Sequence, residues 1–343
     1  QLVLPKDYKP LVSPLHTAKA FQKIRLFIEE HLEEELGLYR VSAPLFVRQN
    51  TGINDDLNGV ERAVSFPMKA FDESRAEVVQ SLAKWKRMAL AEYQIPVGKG
   101  IYTSMHAIRA DELPDNTHSL FVDQWDWEKH IAQSDRSLAF LKQTVEKLYG
   151  ILKSAEGYVH QLYPEITPVL PEKITFIHSE ELLKQYPGLT PAQRENEIAK
   201  KYGAIFLIGI GAELSDGQKH DGRAPDYDDW TTPNEDQFKG LNGDIIVWNP
   251  VLGKAFEISS MGIRVDKKAL LHQLKITGQE KRLDLLFHRR LMEDLLPLSM
   301  GGGIGQSRVA MFLLRKAHIG EVSASIWPEE MVHLCKAHGI QLL

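Results

Sequence analysis

The segment that most constrains the fold is a run of glycines that leads directly into an apolar helix pattern. It reads SMGGGIGQSRVAMFLL over residues 299–314 and places four glycines within five positions. A glycine-rich strand lets another strand or a ligand approach its main chain closely, because no side chain stands in the way. Arg308 falls in the first turn of the helix pattern. The segment predicts a crowded strand-to-helix junction, with a phosphate as the first candidate ligand.

Two common phosphate-binding motifs do not match this segment. A P-loop has Lys and then Ser or Thr after its glycines, so that an ammonium reaches the phosphates and a hydroxyl reaches Mg²⁺. Here Gly305 is followed by Gln306, Ser307 and Arg308. The dinucleotide-binding fingerprint has a glycine at the position of Gln306. Two interpretations remain: a strand beside a flat ligand that Arg308 stacks on or clamps, and packed glycines with Arg308 as a surface charge.

Composition and charge exclude several classes of protein. The 343 residues are 43% hydrophobic and 25% charged, which is enough for a large core. A net charge of −5 and the lack of a long Lys/Arg run argue against a nucleic-acid partner. Cys335 is the only cysteine, so no internal disulfide or thiolate metal cluster can form. No apolar run reaches the roughly 18 residues of a membrane span, and we expect a cytoplasmic protein without a membrane partner.

Hydrophobic periodicity predicts a mixture of helices and strands. Residues 17–36 have the pattern of an amphipathic helix that Gly37 ends, and an extended segment with Pro44 follows. Strands are predicted over 101–109, 119–127, 174–178, 204–210, 244–248 and 254–259, and further helices near 81–93, 134–156, 191–201, 282–295 and 306–316. Short connections between strands favour an antiparallel sheet. We therefore expect an α+β (mixed α/β) fold with a largely antiparallel sheet, as a single domain over 1–343.

The strand FVDQWDWE at 121–128 carries several charges. Alternation places Gln124, Asp126 and Glu128 on one face, opposite the face of the two tryptophans. Two buried carboxylates are costly unless a cation or a metal lies opposite them. Arg109, in the segment IRADE at 108–112, precedes this strand. An isolated strand of this kind is typically a solvated face, but the nearby arginine favours a site.

The segment FEISSMGIRV at 256–265 combines an acid, two hydroxyls and a base. Glu257, Ser259, Ser260 and Arg264 lie around Gly262. A glutamate beside serines is usually the edge of a strand. An enzyme that uses ATP needs an acid to hold Mg²⁺, however, so Glu257 is a candidate metal ligand if a nucleotide binds.

In order along the chain, these segments resemble the catalytic core of class II aminoacyl-tRNA synthetases, especially the aspartyl and asparaginyl branch. RVSAP, ending at Pro44, resembles the first signature, whose proline lies at the dimer interface. IRADE resembles the second, whose arginine grips the α-phosphate, and GGGIGQSR resembles the third. The resemblance implies that the glycines line an adenine site and that Arg308 binds the nucleotide. It also implies that QSLAKWK at 80–86 holds the amino acid, with Lys86 as a ligand.

The sequence departs from the synthetases at several points. Ser307 stands where the third signature usually has an acid, and Ala83 stands where the substrate segment has a second glutamine. The matching motifs run from Pro44 to Arg308, so we expect no anticodon-binding domain and no tRNA recognition.

A closer resemblance covers nearly the whole chain. The segments DDLNG, SLAKWKR, VDQWDWE, RAPDYDDW, LNGDIIVWNPV, SSMGIRV and GGGIGQSR together resemble the ammonia-dependent asparagine synthetases, the aspartate–ammonia ligase family. This resemblance implies a homodimer around a mostly antiparallel sheet. It also implies ATP-dependent and Mg²⁺-dependent synthesis of L-asparagine from L-aspartate and ammonia through β-aspartyl-AMP, with release of AMP and pyrophosphate.

The same resemblance implies roles for individual residues. The catalytic residues are Asp55, Arg109 and Gln124. The residues that bind aspartate or asparagine are Ser81, Lys86, Gln124, Asp126, Ser259, Ser260 and Arg264. The nucleotide-binding residues are Arg109, Asp111, Asp228, Gly303, Gly305 and Arg308, and the metal ligands are Asp244 and Glu257. Simpler alternatives remain from the residues alone: a turn cap for Asp55, a solvated acidic turn for 224–230, and a strand cap for Asp244.

Two other functions compete with this interpretation. The first is an aspartyl or asparaginyl-tRNA synthetase-like enzyme, which a basic groove and tRNA-dependent AMP formation would identify. The second is a catalytically inactive paralogue. The presence of Arg109, Glu257 and Arg308 together argues against inactivity, and the absence of a second domain that begins with a nucleophilic cysteine predicts ammonia as the direct nitrogen donor.

Overall fold

Two β-sheets and the helices packed on them make up the fold. The computed structural model describes residues 2–55, 57 and 61–343. The strands are β1 (Leu38–Arg40), β2 (Phe46–Arg48), β3 (Ser65–Met68), β4 (Ser74–Val78), β5 (Gly100–Ile108), β6 (Phe121–His130), β7 (Thr175–His178), β8 (Ala204–Ile208), β9 (Asn242–Asn249), β10 (Lys254–Ile263) and β11 (Ser299–Gly305). The helices are α1 (Pro14–Leu36), α2 (Ala83–Glu92), α3 (Leu138–Leu162), α4 (Ser179–Gln185), α5 (Pro191–Tyr202), α6 (Lys267–Ile276), α7 (Leu286–Met292), α8 (Gln306–Leu313) and α9 (Glu329–Ala337).

The larger sheet has eight strands in the order β1-β5-β6-β11-β10-β9-β8-β7. Its two edge pairs, β1 with β5 and β7 with β8, are parallel, and the pairs between them are antiparallel. A smaller antiparallel sheet has the order β2-β4-β3. The predicted α+β fold with a largely antiparallel sheet is confirmed.

The predicted elements agree with the structure in kind more than in their ends. The first helix begins at Pro14 and ends at Leu36, and Gly37 adopts the left-handed conformation with φ near 67° that ends it. The helix predicted over 282–295 is two elements, a 3₁₀ helix at Glu280–Asp284 and α7. The sequence does not predict the β3–β4 hairpin, α4, α6 or α9.

The core lies mainly on one face of the larger sheet. There Trp125 and Trp127 of β6 are fully buried in the hydrophobic cluster that α1, α3 and α8 complete. On the other face, α5 packs Ile198 against Ile205 and Ile246 near the β7 edge. Next to that apolar part, the same face carries the polar side chains of β6 and β10.

In the described part of the chain, no helix has the length and apolar character needed to cross a membrane.

Candidate active site

The glycine strand β11 lies in the middle of the larger sheet, between β6 and β10. Gly301 is opposite Glu128, and Gly303 is opposite Asp126. A methyl group on Gly301 would overlap the Glu128 carboxylate, and one on Gly303 would overlap the side-chain amide of Gln124. At Gly301 and Gly303, polar side chains of the neighbouring strand β6 therefore make the close approach that the glycine run predicts.

Replacing Gly301 with alanine is expected to lower the free energy of unfolding by about 1–3 kcal/mol. The added methyl would meet the Glu128 carboxylate and lie 2.6 Å from the carbonyl oxygen of Trp127. The matched control is Gly150→Ala in α3, where no atom lies within 4 Å of the added carbon and helix propensity predicts a gain of about 0.5–1 kcal/mol. Urea denaturation of both variants measures the difference, and equal effects would contradict this account of β11.

A cavity of about 460 Å³ opens on this face of the sheet. Among the predicted aspartate-binding residues, those that line it are Ser81, Lys86, Gln124, Asp126, Ser260 and Arg264. The other predicted residues that line it are Asp55, Arg109, Asp111, Asp228, Glu257, Gly303, Gly305 and Arg308. Segments far apart in sequence thus converge on one cavity.

Ser259 is a correction to the predicted set. The pairing of β10 with β9 shifts by one residue between Glu257 and Ser259, which is a β-bulge. Because of the extra residue, Glu257 and Ser260 both face the cavity, although simple alternation would place them on opposite faces. Ser259 is buried on the opposite face with Met261. The structure therefore does not bring Ser259 to the cavity.

Lys86 supplies one of the cations that the buried carboxylates require. Its Nζ donates to Asp126 Oδ1 at 2.5 Å and to the carbonyl oxygen of Gly302 at 3.1 Å, and lies 3.9 Å from Glu128 Oε2. The side chain is 1% exposed. Burial lowers the pKa of Lys86, and the charges of Asp126 and Glu128 act against that shift. Lys86 thus lies opposite the acids of β6 as a cation, without which their burial would be costly.

Arg264 supplies the second cation. Its Nε and Nη2 donate to Glu128 at 3.0 and 2.9 Å, and its Nη1 donates to Asp228. Ser299 adds a hydrogen bond to Glu128 at 2.7 Å. Burial opposes the charge of Glu128, but Arg264 and Lys86 together hold the pKa of that carboxyl below its usual range. Asp228 therefore lies in the same ionic cluster as residues predicted to bind aspartate.

The pairing of Glu128 predicts an acid-dependent loss of stability. A carboxyl whose pKa is lowered in the folded state stabilises the fold above its unfolded pKa and loses that contribution as the pH falls. The difference in unfolding free energy between wild type and Glu128→Gln is expected to shrink as the pH falls below about 5. Urea denaturation at several pH values checks this, with the exposed Glu172→Gln as control. A difference that is constant with pH would refute it.

Three of the predicted nucleotide-binding residues, Arg308, Asp111 and Arg109, have contacts outside this ionic cluster. Arg308 Nη1 donates to the carbonyl oxygen of Glu257 at 3.1 Å and lies 3.7 Å from its carboxylate. Asp111 accepts from Arg62 Nε at 2.9 Å. The buried Nε of Arg109 has no hydrogen-bond partner among the described residues. Arg109 and Arg308, which come from distant segments of the chain, thus line the same cavity.

Of the two predicted metal ligands, Glu257 lines the cavity and Asp244 does not, and the charges of both act on Arg223. Asp244 is opposite Ser260 in the sheet and accepts from Arg223 Nη2 at 2.5 and 2.6 Å. Burial and the charge of Glu257 raise the pKa of Asp244 to about 7, although Arg223 opposes the shift. The described residues contain no cluster of three or more His, Cys, Asp or Glu side chains that could hold a metal ion. Two carboxylates suit Mg²⁺, which usually takes one or two protein carboxylates and completes its shell with phosphate oxygens and water.

The loop 224–230 is not the solvated turn that its composition favours. Asp226, Asp228 and Asp229 are each at most 1% exposed. Tyr227 lines the cavity, and burial together with the charges of Asp55 and Asp228 raises its pKa well above the ordinary value. The sequence predicts a site role only for Asp228 of this loop, and not for Tyr227 or for Arg223, which precedes the loop. The spacing of the acids carries no sign of which of them turn inward.

Asp55 lies in the same cavity, 2% exposed. Its Oδ1 accepts from the backbone N–H of Leu57 at 3.1 Å, as in an Asx turn, and its carbonyl oxygen accepts from Gln80 Nε2 at 2.9 Å. Of the motif DDLNG, residues 56, 58 and 59 lie outside the described residues. Asp55 therefore both makes a turn contact and lies in the cavity.

The chain is similar to known proteins that are named aspartate–ammonia ligases. An aspartate–ammonia ligase of Bacteroides fragilis is 57% identical over 342 residues, covering 100% of this chain and 99% of that protein. One of Clostridium perfringens is 53% identical over 343 residues, with coverage of 100% and 99%.

Solved structures of tRNA synthetases share the fold. Asparaginyl-tRNA synthetase of Entamoeba histolytica, in complex with asparaginyl-adenylate, has a TM-score of 0.66 at 13% identity, covering 90% of this chain and 66% of that one. The enzyme of Pyrococcus horikoshii, also complexed with asparaginyl-adenylate, has a TM-score of 0.65 at 16% identity, with coverage of 91% and 70%. This chain thus spans about two thirds of the synthetases' length and has the fold of their class II catalytic core.

The family model described as aspartate-ammonia ligase matches residues 15–339. With the two relatives above, this match shows that the chain is an enzyme and belongs to the aspartate–ammonia ligase family.

Proposed function

We propose that this enzyme makes L-asparagine from L-aspartate, ammonia and ATP through β-aspartyl-AMP, with release of AMP and pyrophosphate. The observation that carries the proposal is one cavity that holds both the ionic cluster of Lys86, Asp126 and Arg264 and the two arginines Arg109 and Arg308. The synthetase structures with the same fold contain an asparaginyl-adenylate. An adenylate route therefore suits the fold as well as the cavity.

A carboxylate needs a better leaving group than hydroxide before it can form an amide at neutral pH. In the proposed first step, an oxygen of the aspartate side chain attacks the α-phosphorus of ATP and pyrophosphate leaves. Negative charge develops on the phosphate oxygens, and preorganised cations lower the free energy of that transition state. In this step Arg109 binds the α-phosphate, and Arg308 binds the pyrophosphate.

Aspartate must bind with its side-chain carboxylate directed to the phosphate. We assign the α-carboxylate to Lys86, and the amino group to Asp126 or Gln124. Ser81, Ser260 and Arg264 complete the polar wall around the amino acid. Burial of Lys86 among these groups supports the assignment, because a desolvated ammonium binds a carboxylate more strongly than a hydrated one.

The second step requires neutral ammonia, although ammonium is the common form in solution. Asp55 is assigned to bind the ammonium and take a proton from it beside the acyl carbon. Its burial in the shared cavity supports this assignment. AMP is then displaced and asparagine forms.

Mg²⁺ would be held by Asp244 and Glu257, with phosphate oxygens as further ligands. When bound there, it would neutralise part of the charge of the triphosphate. The homodimer that the resemblance implies remains a prediction. Sedimentation velocity of the purified protein measures its oligomeric state directly.

The proposed function is tested by a product assay. The purified protein is incubated with ATP, Mg²⁺ and aspartate, with and without ammonium, and AMP, pyrophosphate and asparagine are followed separately. Asparagine and AMP in equal amounts, only with ammonium, are the expected result. ADP in place of AMP would refute the adenylate route. Adenylate without amide, but with acylation of added tRNA, would identify a synthetase, and glutamine in place of ammonium tests the nitrogen donor.

A further inference from the structure

A second buried ionic cluster lies beside the cavity and has no role in the proposed reaction. Asp226 Oδ2 accepts from Lys84 Nζ at 3.1 Å, from Arg282 Nη1 at 2.8 Å and from His288 Nε2 at 2.9 Å. The side chains of Lys84, Asp226 and His288 are at most 1% exposed. Burial opposes ionisation, yet these partners hold the pKa of Asp226 far below its usual range. The cluster is therefore built around a buried carboxylate.

Two members of this cluster belong to segments that carry cavity residues. Lys84 lies in α2 between Ala83 and Lys86, which both line the cavity. Asp226 directly precedes Tyr227 and Asp228, which line the cavity. The ion pair between Lys84 and Asp226 thus joins the helix of Lys86 to the loop of Tyr227.

His288 extends the connection to the segment before Asp55. A methyl group on Gly52 would lie 3.0 Å from both Cε1 and Nδ1 of His288. The backbone N–H of Phe287 donates to the carbonyl oxygen of Thr51 at 3.2 Å. The beginning of α7 therefore packs directly on residues 51–52, three positions before Asp55.

We propose that Asp226 is a positioning residue that holds the helix of Lys86, the loop of Tyr227 and Asp228, and the segment of Asp55 in one arrangement. The inference rests on the proposed function, in which Lys86 binds aspartate and Asp55 activates ammonia. A buried cluster of this kind is weak as a source of stability, because desolvation offsets much of the attraction. Its consequence for the reaction is a fixed distance between Lys86, which binds the α-carboxylate of aspartate, and Asp55, which binds ammonia at the other end of the substrate.

The first test is Asp226→Asn, which keeps the size of the side chain and removes its charge. Asparagine synthesis is expected to fall roughly 10²-fold in kcat/KM, because small displacements of reacting groups are that costly. The KM for aspartate is expected to rise and kcat to fall. The matched control is Glu156→Gln in α3, which removes another buried carboxylate, paired with Arg315 at 2.7 Å and remote from the cavity. That variant is expected to lose stability with unchanged kcat and KM.

A second pair of variants keeps the test decisive if Asp226→Asn does not fold. His288→Gln retains a side-chain N–H donor toward Asp226, and His288→Leu removes it. The leucine variant is expected to lose asparagine synthesis while it keeps aspartate-dependent exchange of pyrophosphate into ATP, and the glutamine variant is expected to recover part of the synthesis. Identical wild-type kinetics in both variants would overturn the proposal. So would an Asp226→Asn variant with lower stability but unchanged kinetic constants.

Failure of the proposed function has a different signature. In that case the wild-type protein itself makes no asparagine. The positioning role is then read from the rise in melting temperature on addition of aspartate and ATP, which is expected to be lost in Asp226→Asn and kept in Glu156→Gln. A rise that is equal in both variants would again overturn the positioning role.

Discussion

Replacing Asp55 with asparagine is expected to lower asparagine synthesis roughly 10²–10⁴-fold and to leave aspartate-dependent pyrophosphate exchange close to wild type. The variant keeps an oxygen at Oδ1 that can accept the hydrogen bond from Leu57, so the turn is preserved. It loses the group that takes a proton from ammonium. The two half-reactions are measured separately, as exchange of labelled pyrophosphate into ATP and as formation of asparagine.

A chemical control separates proton transfer from damage to the site. Hydroxylamine is largely unprotonated at neutral pH, so it needs no base to become a nucleophile. The Asp55→Asn variant is therefore expected to form aspartyl hydroxamate at a rate close to that of the wild type. Equal loss of exchange, amide synthesis and hydroxamate formation would remove Asp55 from the assigned role and leave only its turn contact.

The second large effect is expected from Lys86→Met. Methionine has a similar length and no charge, so the variant leaves Asp126 and Glu128 buried without the ammonium at 2.5 and 3.9 Å. Loss of one partner of a buried pair costs about 3–5 kcal/mol of stability. Aspartate-dependent pyrophosphate exchange is expected to fall roughly 10²–10³-fold, because a preorganised donor to the substrate is lost.

Lys316→Met is the matched control for this variant. Lys316 is 2% exposed, and its Nζ donates to the carbonyl oxygen of Val12 at 2.7 Å, away from the cavity. Its loss is expected to reduce the free energy of unfolding without a change in the KM for aspartate. Titration of aspartate in the exchange assay and urea denaturation give both quantities for both variants. A Lys86→Met variant with an unchanged KM would show that Lys86 does not bind the substrate.

Sequence alone predicts well which side chains of a single strand share a face of the sheet. The period of two on β6 separates Trp125 and Trp127 from Gln124 and Asp126, and the structure confirms both faces. The cost of burying two carboxylates also predicts a cation opposite them, although not its identity. The packing of α2 on β6 and β11 brings Lys86 to this position, and the pairing of β10 with β11 brings Arg264 there. Local sequence carries neither of these long-range contacts.

Other features depend on contacts between distant segments. The inward direction of Asp226 is set by Lys84 and His288, which are more than 50 residues away on each side. A solvated turn and this buried loop have the same composition of Asp and Pro. Likewise, the break between Glu280–Asp284 and α7 follows from packing against residues 51–52, and the apolar period of 282–295 continues through it.

The bulge in β10 makes the direction of many side chains depend on one residue. The single extra residue between Glu257 and Ser259 decides which side chains upstream of it face the cavity and which face the core. If Ile258 were paired as a regular residue of the ladder, every earlier position of the strand would be reversed, with Glu257 turned toward the core and Phe256 toward the cavity. Substitutions in β10 alter one contact each, whereas loss of the bulge with no loss of a residue would exchange the two faces of half the strand. The strand can therefore vary in residue type far more easily than in the pairing of Ile258.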